Sequence, residues 1–177
     1  MKEIDGETWF CTGDVGTLID GPGGKPFLKI TDRKKELLKT SGGKYVAPAP
    51  IANKFKEDFL IEQMMVVGDK YKFVSALIIP AEEALRDWCD DNEINWTSLG
   101  EVICHPKVLK KYQSVIDGFN PQFSHIEQIK KFVLLDAAWE PTKTDGTQAE
   151  LTPTLKLKRR VIIEKFSDTI ESIYANG

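Results

Sequence analysis

The sequence predicts an α+β fold: a small three-stranded sheet containing an antiparallel pair, packed by helices, from about Lys35 onward. Three observations carry that reading. The first thirty residues are short strand-like runs cut by glycine turns, too few to bury their own faces. Two longer apolar runs, Met64 to Val67 and Phe73 to Ile79, flank the turn Gly68-Asp69-Lys70-Tyr71, as an antiparallel pair would. Most of the remaining chain has helical apolar spacing.

In chain order, the opening strands are Thr8 to Cys11, Gly16 to Ile19 and Pro26 to Ile30. Asp20-Gly21-Pro22-Gly23-Gly24-Lys25 has the composition of a hairpin turn. Its Gly-Gly-Lys is not a phosphate loop: proline follows the lysine and the required earlier glycine is missing. A charged break, Asp32 to Lys35, separates the apolar run ending at Ile30 from a second strand at Leu37 and Leu38. Gly42 and Gly43 then permit a turn, and Pro48 and Pro50 suit the first turn of a helix from about Ile51 to Phe59.

Phe73 to Ile79 is apolar on both faces apart from Ser75, which places it centrally in its sheet. Ala81 to Asp90 reads as a helix with Ala84, Leu85 and Trp88 on one face. Asn95 to Cys104 and Pro106 to Phe119 read as two more, and Ser124-His125-Ile126-Glu127 as a capping box opening a short helical turn. Phe132 to Leu135 is the third strand, and Ala137 to Glu150 a long loop. A single closing helix from about Arg159 carries the stripe Ile162, Phe166, Ile170 and Ile173.

Composition bounds the function. With 41% apolar and 29% charged residues the chain is an ordinary globular protein, long enough for one good core. A net charge of -3 argues against nucleic acid as a partner. Lys25 to Lys44 reverses the balance locally, with seven basic against two acidic residues. Cys11, Cys89 and Cys104 show no metal-ligand spacing, so no metal site is expected. No signal peptide and no integral membrane segment is expected, which implies a cytoplasmic protein.

Three motifs carry a resemblance. Asp32-Arg33-Lys34-Lys35-Glu36-Leu37, followed by Ser41-Gly42-Gly43-Lys44-Tyr45-Val46-Ala47-Pro48, resembles the hinge of the adenylate-forming (AMP-binding) enzymes: acyl-CoA synthetases, firefly luciferase and peptide-synthetase adenylation domains. Trp9-Phe10-Cys11-Thr12-Gly13-Asp14-Val15-Gly16 resembles the family's Trp-Phe/Tyr-x-Thr-Gly-Asp-x-Gly. Leu151-Thr152-Pro153-Thr154-Leu155-Lys156-Leu157-Lys158-Arg159 resembles the C-terminal lysine motif in the form used by long-chain fatty acyl-CoA synthetases.

The resemblance implies a division of the chain. Residues 1–32 would be the β tail of a large N-terminal AMP-binding domain. Residues 33–177 would be the mobile C-terminal domain, with its hinge at 32–36. It also implies a long-chain fatty acid–CoA ligase that uses ATP (with Mg2+) and coenzyme A. By their places in the motifs, Asp14 would accept hydrogen bonds from the ATP ribose and Arg33 would contact ribose or phosphates. Lys35 would be the hinge pivot, and Gly43 would line the pantetheine channel. Lys158 would be the catalytic lysine, with Lys156 open as the alternative, because alternation along an extended loop points both the same way. Two departures from the family pattern are Leu157, where glycine is usual before the lysine, and Ala52, where many members carry glutamate. The fragment by itself is expected to be inactive. The alternatives are a ligase for a different carboxylic acid and a non-catalytic interaction domain that uses the basic hinge face.

Overall fold

The computed structural model describes residues 1–175. Its centre is a three-stranded sheet in the order β7-β8-β9, formed by Ile61–Val67, Val74–Pro80 and Ile129–Leu134. β8 is buried along its whole length, as its apolar run requires. Alternation sends its residues to opposite faces. Val74, Ala76 and Ile78 join one core with Met64 and Val66 of β7. Leu77 and Ile79 join a second core with Met65 and Val67.

The first core is covered by α1 (Pro48–Phe55), α2 (Glu82–Asp91) and α4 (Pro106–Phe119). Tyr112 of α4 is fully buried, and its hydroxyl donates to the Leu60 carbonyl at 2.7 Å. Such a partner is what a phenol needs away from water. The second core is closed by α5 (Arg159–Lys165), α6 (Ser167–Ala175), Trp139 and Leu151.

Ahead of this body lie two hairpins. β1 (Lys2–Ile4) pairs with β2 (Glu7–Trp9), and β3 (Asp14–Asp20) with β4 (Pro26–Arg33), all antiparallel. Gly16, beside a bulge in β3, is a close approach: a Cβ there would lie 2.8 Å from the Lys29 carbonyl oxygen. The β3–β4 hairpin ends against α1, where the Asp32 carboxylate accepts from the Ala49 N–H at 3.3 Å.

The structure corrects several expectations. β4 continues through Asp32 and Arg33, so the charged residues begin inside the strand, and the chain turns only at Lys34 to Glu36. The second strand is β5 (Leu38–Lys39), and it pairs with an unforeseen β6 (Tyr45–Val46), making a hairpin of the glycine loop. The Asn95 helix shrinks to α3 (Leu99–Val102), which Ser98 caps. Ser124 to Glu127, by contrast, closes as the short turn expected: the Ser124 N–H and Oγ–H donate to the Glu127 carboxylate at 3.2 and 2.5 Å, and the Gln128 N–H donates to the Ser124 carbonyl at 3.2 Å. The closing helix breaks at Phe166 into α5 and α6, so the stripe wraps the sheet in two segments. The third strand runs parallel to β8, because α2, α3 and α4 carry the chain back across the sheet before it begins.

Candidate active site

The lysine motif forms a closed loop. Leu151 and Leu157 face each other in an isolated antiparallel bridge. Inside it the Thr152 N–H donates to the Lys156 carbonyl at 2.8 Å, and Leu155 N–H to the Thr152 carbonyl at 2.8 Å. Thr152 Oγ1 accepts from Lys156 N–H at 3.0 Å and lies 3.0 Å from Thr154 Oγ1. Leu155 takes a positive φ of 59°, a conformation a branched residue holds only where its surroundings fix it. Lys156 is exposed on this loop, whereas Lys158 is half-buried at its base, where α5 begins. Leu157 packs onto the second core between them, so the two lysines flank an inward-facing leucine.

Both ends of the loop are anchored by charge. At the first, Glu150 is fully buried, with its carboxylate 2.6 Å from Lys165 Nζ and 3.4 Å from Lys143 Nζ. Burial alone would raise this carboxyl. The hydrogen bond from Lys165 and backbone donors outweigh it and hold the group down at about 2. The Glu150 carbonyl accepts the Lys158 N–H at 2.7 Å.

At the second end, the Arg159 side chain is 16% exposed. Its Nη2 donates to the Val66 carbonyl of β7 at 2.6 Å, and its Nε lies 3.6 Å from Glu36 Oε2. Burial pulls the guanidinium below its ordinary value, opposed by the carboxylates of Glu36, Asp32 and Asp69. The sequence marks Arg159 only as a helix start. Its partners are 93 residues away in β7 and in the turn at Lys34 to Glu36, and no local pattern announces them.

The turn at Lys34 to Glu36 lies beside this anchor. Lys35 is exposed in the middle of a turn closed by Glu36 N–H donating to the Arg33 carbonyl at 2.8 Å. A groove of about 460 Å³ runs between this turn and α5, lined by Lys35, Glu36, Asp69, Arg159 and Arg160 among others.

Asp14 and Arg33 are brought together. They are cross-strand partners in the β3–β4 register, with Nε to Oδ1 at 3.3 Å. The Thr-Gly-Asp turn is held by Thr12 Oγ1 accepting the Asp14 N–H at 3.1 Å, and the Gly13 carbonyl accepts the Lys34 N–H at 2.7 Å. The Arg33 side chain is 73% exposed, free to share its remaining donors with a ligand. Among the described residues, no hydrogen bond or ion pair links the Lys158 side chain to Asp14 or Arg33. Gly43 stands apart in the β5–β6 hairpin with φ at +77° and open space where a side chain would begin. The adjacent Ser41 N–H donates to the Tyr71 carbonyl at 2.8 Å. Ala52 is buried on α1, within the first core.

Comparison with known proteins gives these elements a family. Residues 35–177 match the AMP-binding enzyme C-terminal domain. A long-chain-fatty-acid–CoA ligase of Mycobacterium tuberculosis, FadD15, is 40% identical over 167 residues, covering 94% of this chain and 26% of its own. The peroxisomal long chain acyl-CoA synthetase 7 of Arabidopsis thaliana is 32% identical over 175 residues, with 97% and 24% covered. The chain thus spans about a quarter of the length of these relatives. Among solved structures, the adenylation domain of a carboxylate reductase from Mycobacterium chelonae shares the fold, with a TM-score of 0.65 at 24% identity over 94% of this chain and 23% of that one. A Mycobacterium tuberculosis fatty acyl CoA synthetase does so at 0.52 and 21%, over 91% and 25%. With four-fifths of its length in the matched domain, and relatives of that kind along nearly all of it, the chain belongs to the AMP-binding enzyme C-terminal domain family.

Proposed function

We propose that this chain is the closing portion of an ATP-dependent long-chain fatty acid–CoA ligase, and that it supplies the hinge and the adenylation lysine. In the first reaction a fatty carboxylate oxygen attacks the α-phosphorus of ATP. The bond to pyrophosphate breaks and an acyl-adenylate forms. Two anions meet in that step, so a cation placed where negative charge develops lowers its barrier. Lys158 is the group assigned to this, a compact charge on a long stem. The observation that carries the reading is the loop itself: a closed, twice-anchored structure presenting a lysine in a chain 40% identical to a long-chain ligase.

Asp14 would accept the ribose hydroxyls, and Arg33 beside it would reach ribose or phosphate oxygens. In the second reaction the thiol of coenzyme A attacks the acyl carbon and AMP leaves. Lys35, at the middle of the hinge turn, is proposed as the pivot that exchanges the lysine loop for the Gly43 hairpin between the two reactions. Among the described residues no group of three or more His, Cys, Asp or Glu side chains could hold a metal ion, and no step on this chain is assigned to magnesium. No helix among those residues is long and apolar enough to cross a membrane.

The test is a chimera in which this chain replaces the matched quarter of the Mycobacterium tuberculosis ligase. It should form acyl-adenylate and acyl-CoA from a long-chain fatty acid. Lys158→Ala should slow adenylate formation by roughly 10²–10³ and spare thioester formation from supplied acyl-adenylate. A folded chimera without adenylation would remove the assignment. A large loss in Lys156→Ala with a mild one in Lys158→Ala would move the role two residues back.

A further inference from the structure

We infer that Arg159 is a positioning residue that ties the lysine loop to the hinge turn, so that the order of the loop depends on the turn beside it. The inference rests on the proposed role of that loop in adenylation. Arg159 follows Lys158 directly, at the point where the loop becomes α5. Its two donors point to different places: Nη2 to the Val66 carbonyl in the central sheet, Nε toward the Glu36 carboxylate one residue past the pivot. A guanidinium serves both from one rigid plane, and a single ammonium does not.

The burial of Arg159 matters. A surface ion pair at 3.6 Å is worth little, but a pair whose cation is mostly withdrawn from water is screened far less. The base of the loop is thus braced at the sheet by one bond and at the hinge by the other. Among the described residues, the Glu150 end has no comparable tie to the hinge. Its carboxylate is held by Lys165 of α5 and by Lys143 and the Glu140 N–H of the long loop, so it fixes the loop within the domain only.

Arg159→Lys keeps the charge and removes the two-way geometry. Glu36→Ala cuts only the hinge end, at a half-exposed side chain whose loss the fold should tolerate. Hydrogen exchange of the 177-residue chain reads the loop directly through the Thr152, Lys156 and Lys158 amides, all hydrogen-bonded here. Arg159→Lys should speed their exchange about tenfold, the size of one charged hydrogen bond, with the β7–β8 amides unchanged. Glu36→Ala should give a smaller acceleration at the same amides. In the chimera, Arg159→Lys should slow adenylate formation about tenfold, the same loss, and leave thioester formation intact.

Loop exchange that is unchanged in Glu36→Ala, or that rises equally across the whole domain, overturns the tie. Equal losses in both half-reactions overturn the positioning role. A wild-type chimera that adenylates nothing counts against the proposed function alone, and the exchange comparison then decides this inference.

Discussion

The β3–β4 hairpin and the β7–β8 hairpin are built from similar material and meet opposite fates. Each has seven or eight residues per strand, an antiparallel register and several large apolar side chains in each strand. In the first, Leu18 is 69% exposed and its partner Leu28 65%. In the second, Met65 and its partner Leu77 are fully buried. The difference lies in the elements that the rest of the chain packs against each hairpin. β7–β8 gains a third strand and helices on both faces, whereas β3–β4 meets α1 at its end and none of its described residues is buried. An apolar strand is able to be buried; a second layer decides whether it is.

This contrast predicts unequal costs for the same substitution. Leu77→Ala should lose about 2–5 kcal/mol of stability, the cost of a cavity in a packed core. Leu28→Ala should stay within about 0.5 kcal/mol, as exposed positions do. Urea midpoints at constant slope check both. A large loss at Leu28 would show that the hairpin is covered in solution by something beyond these residues.

Glu150 sharpens the contrast from the polar side, because it is a carboxylate buried where the hairpin buries nothing. Its folded pKa of about 2 lies below the unfolded value of 4.5. The stabilisation is therefore present above about pH 4.5 and is lost as pH falls from there toward 2. It amounts to up to about 3 kcal/mol. Glu150→Gln should show most of that loss at neutral pH and a flatter acid limb in its stability profile. The Asp14–Arg33 pair on the hairpin, largely open to water, should contribute no more than about 1 kcal/mol.

A smaller loss than at Leu77 or Glu150 is expected at Tyr112. Tyr112→Phe removes the hydroxyl's bond to the Leu60 carbonyl, but the Ala81 N–H still donates to that oxygen at 2.9 Å. The carbonyl is not stranded, so about 1 kcal/mol is expected rather than the larger cost of an unpaired buried group. Thermal unfolding measures it. A loss of several kcal/mol would mean that the phenol also braces α4 against the sheet.

The sequence by itself determined what is local. Pro48 and Pro50 marked α1, helical spacing marked α2 and α4, and the two-sided apolar run of β8 announced a central strand. Thr12, Gly13 and Asp14 formed the turn their types favour. The motifs implied that Asp14 and Arg33 each reach ATP; their pairing with each other emerges from the hairpin register. Tertiary structure decided what depends on distant partners. β9 could be named from its residues, but its parallel direction comes from the crossover through α2, α3 and α4. The break at Phe166 is invisible in a stripe that keeps helical spacing on either side, because two short helices and one long one share that period. The sequence placed Glu150 at the end of a long loop and Arg159 at a helix start, with no sign of their partners. They are buried because Lys165, Lys143, Val66 and Glu36 arrive from elsewhere to compensate them, and a charge leaves water only when its partner is already in place.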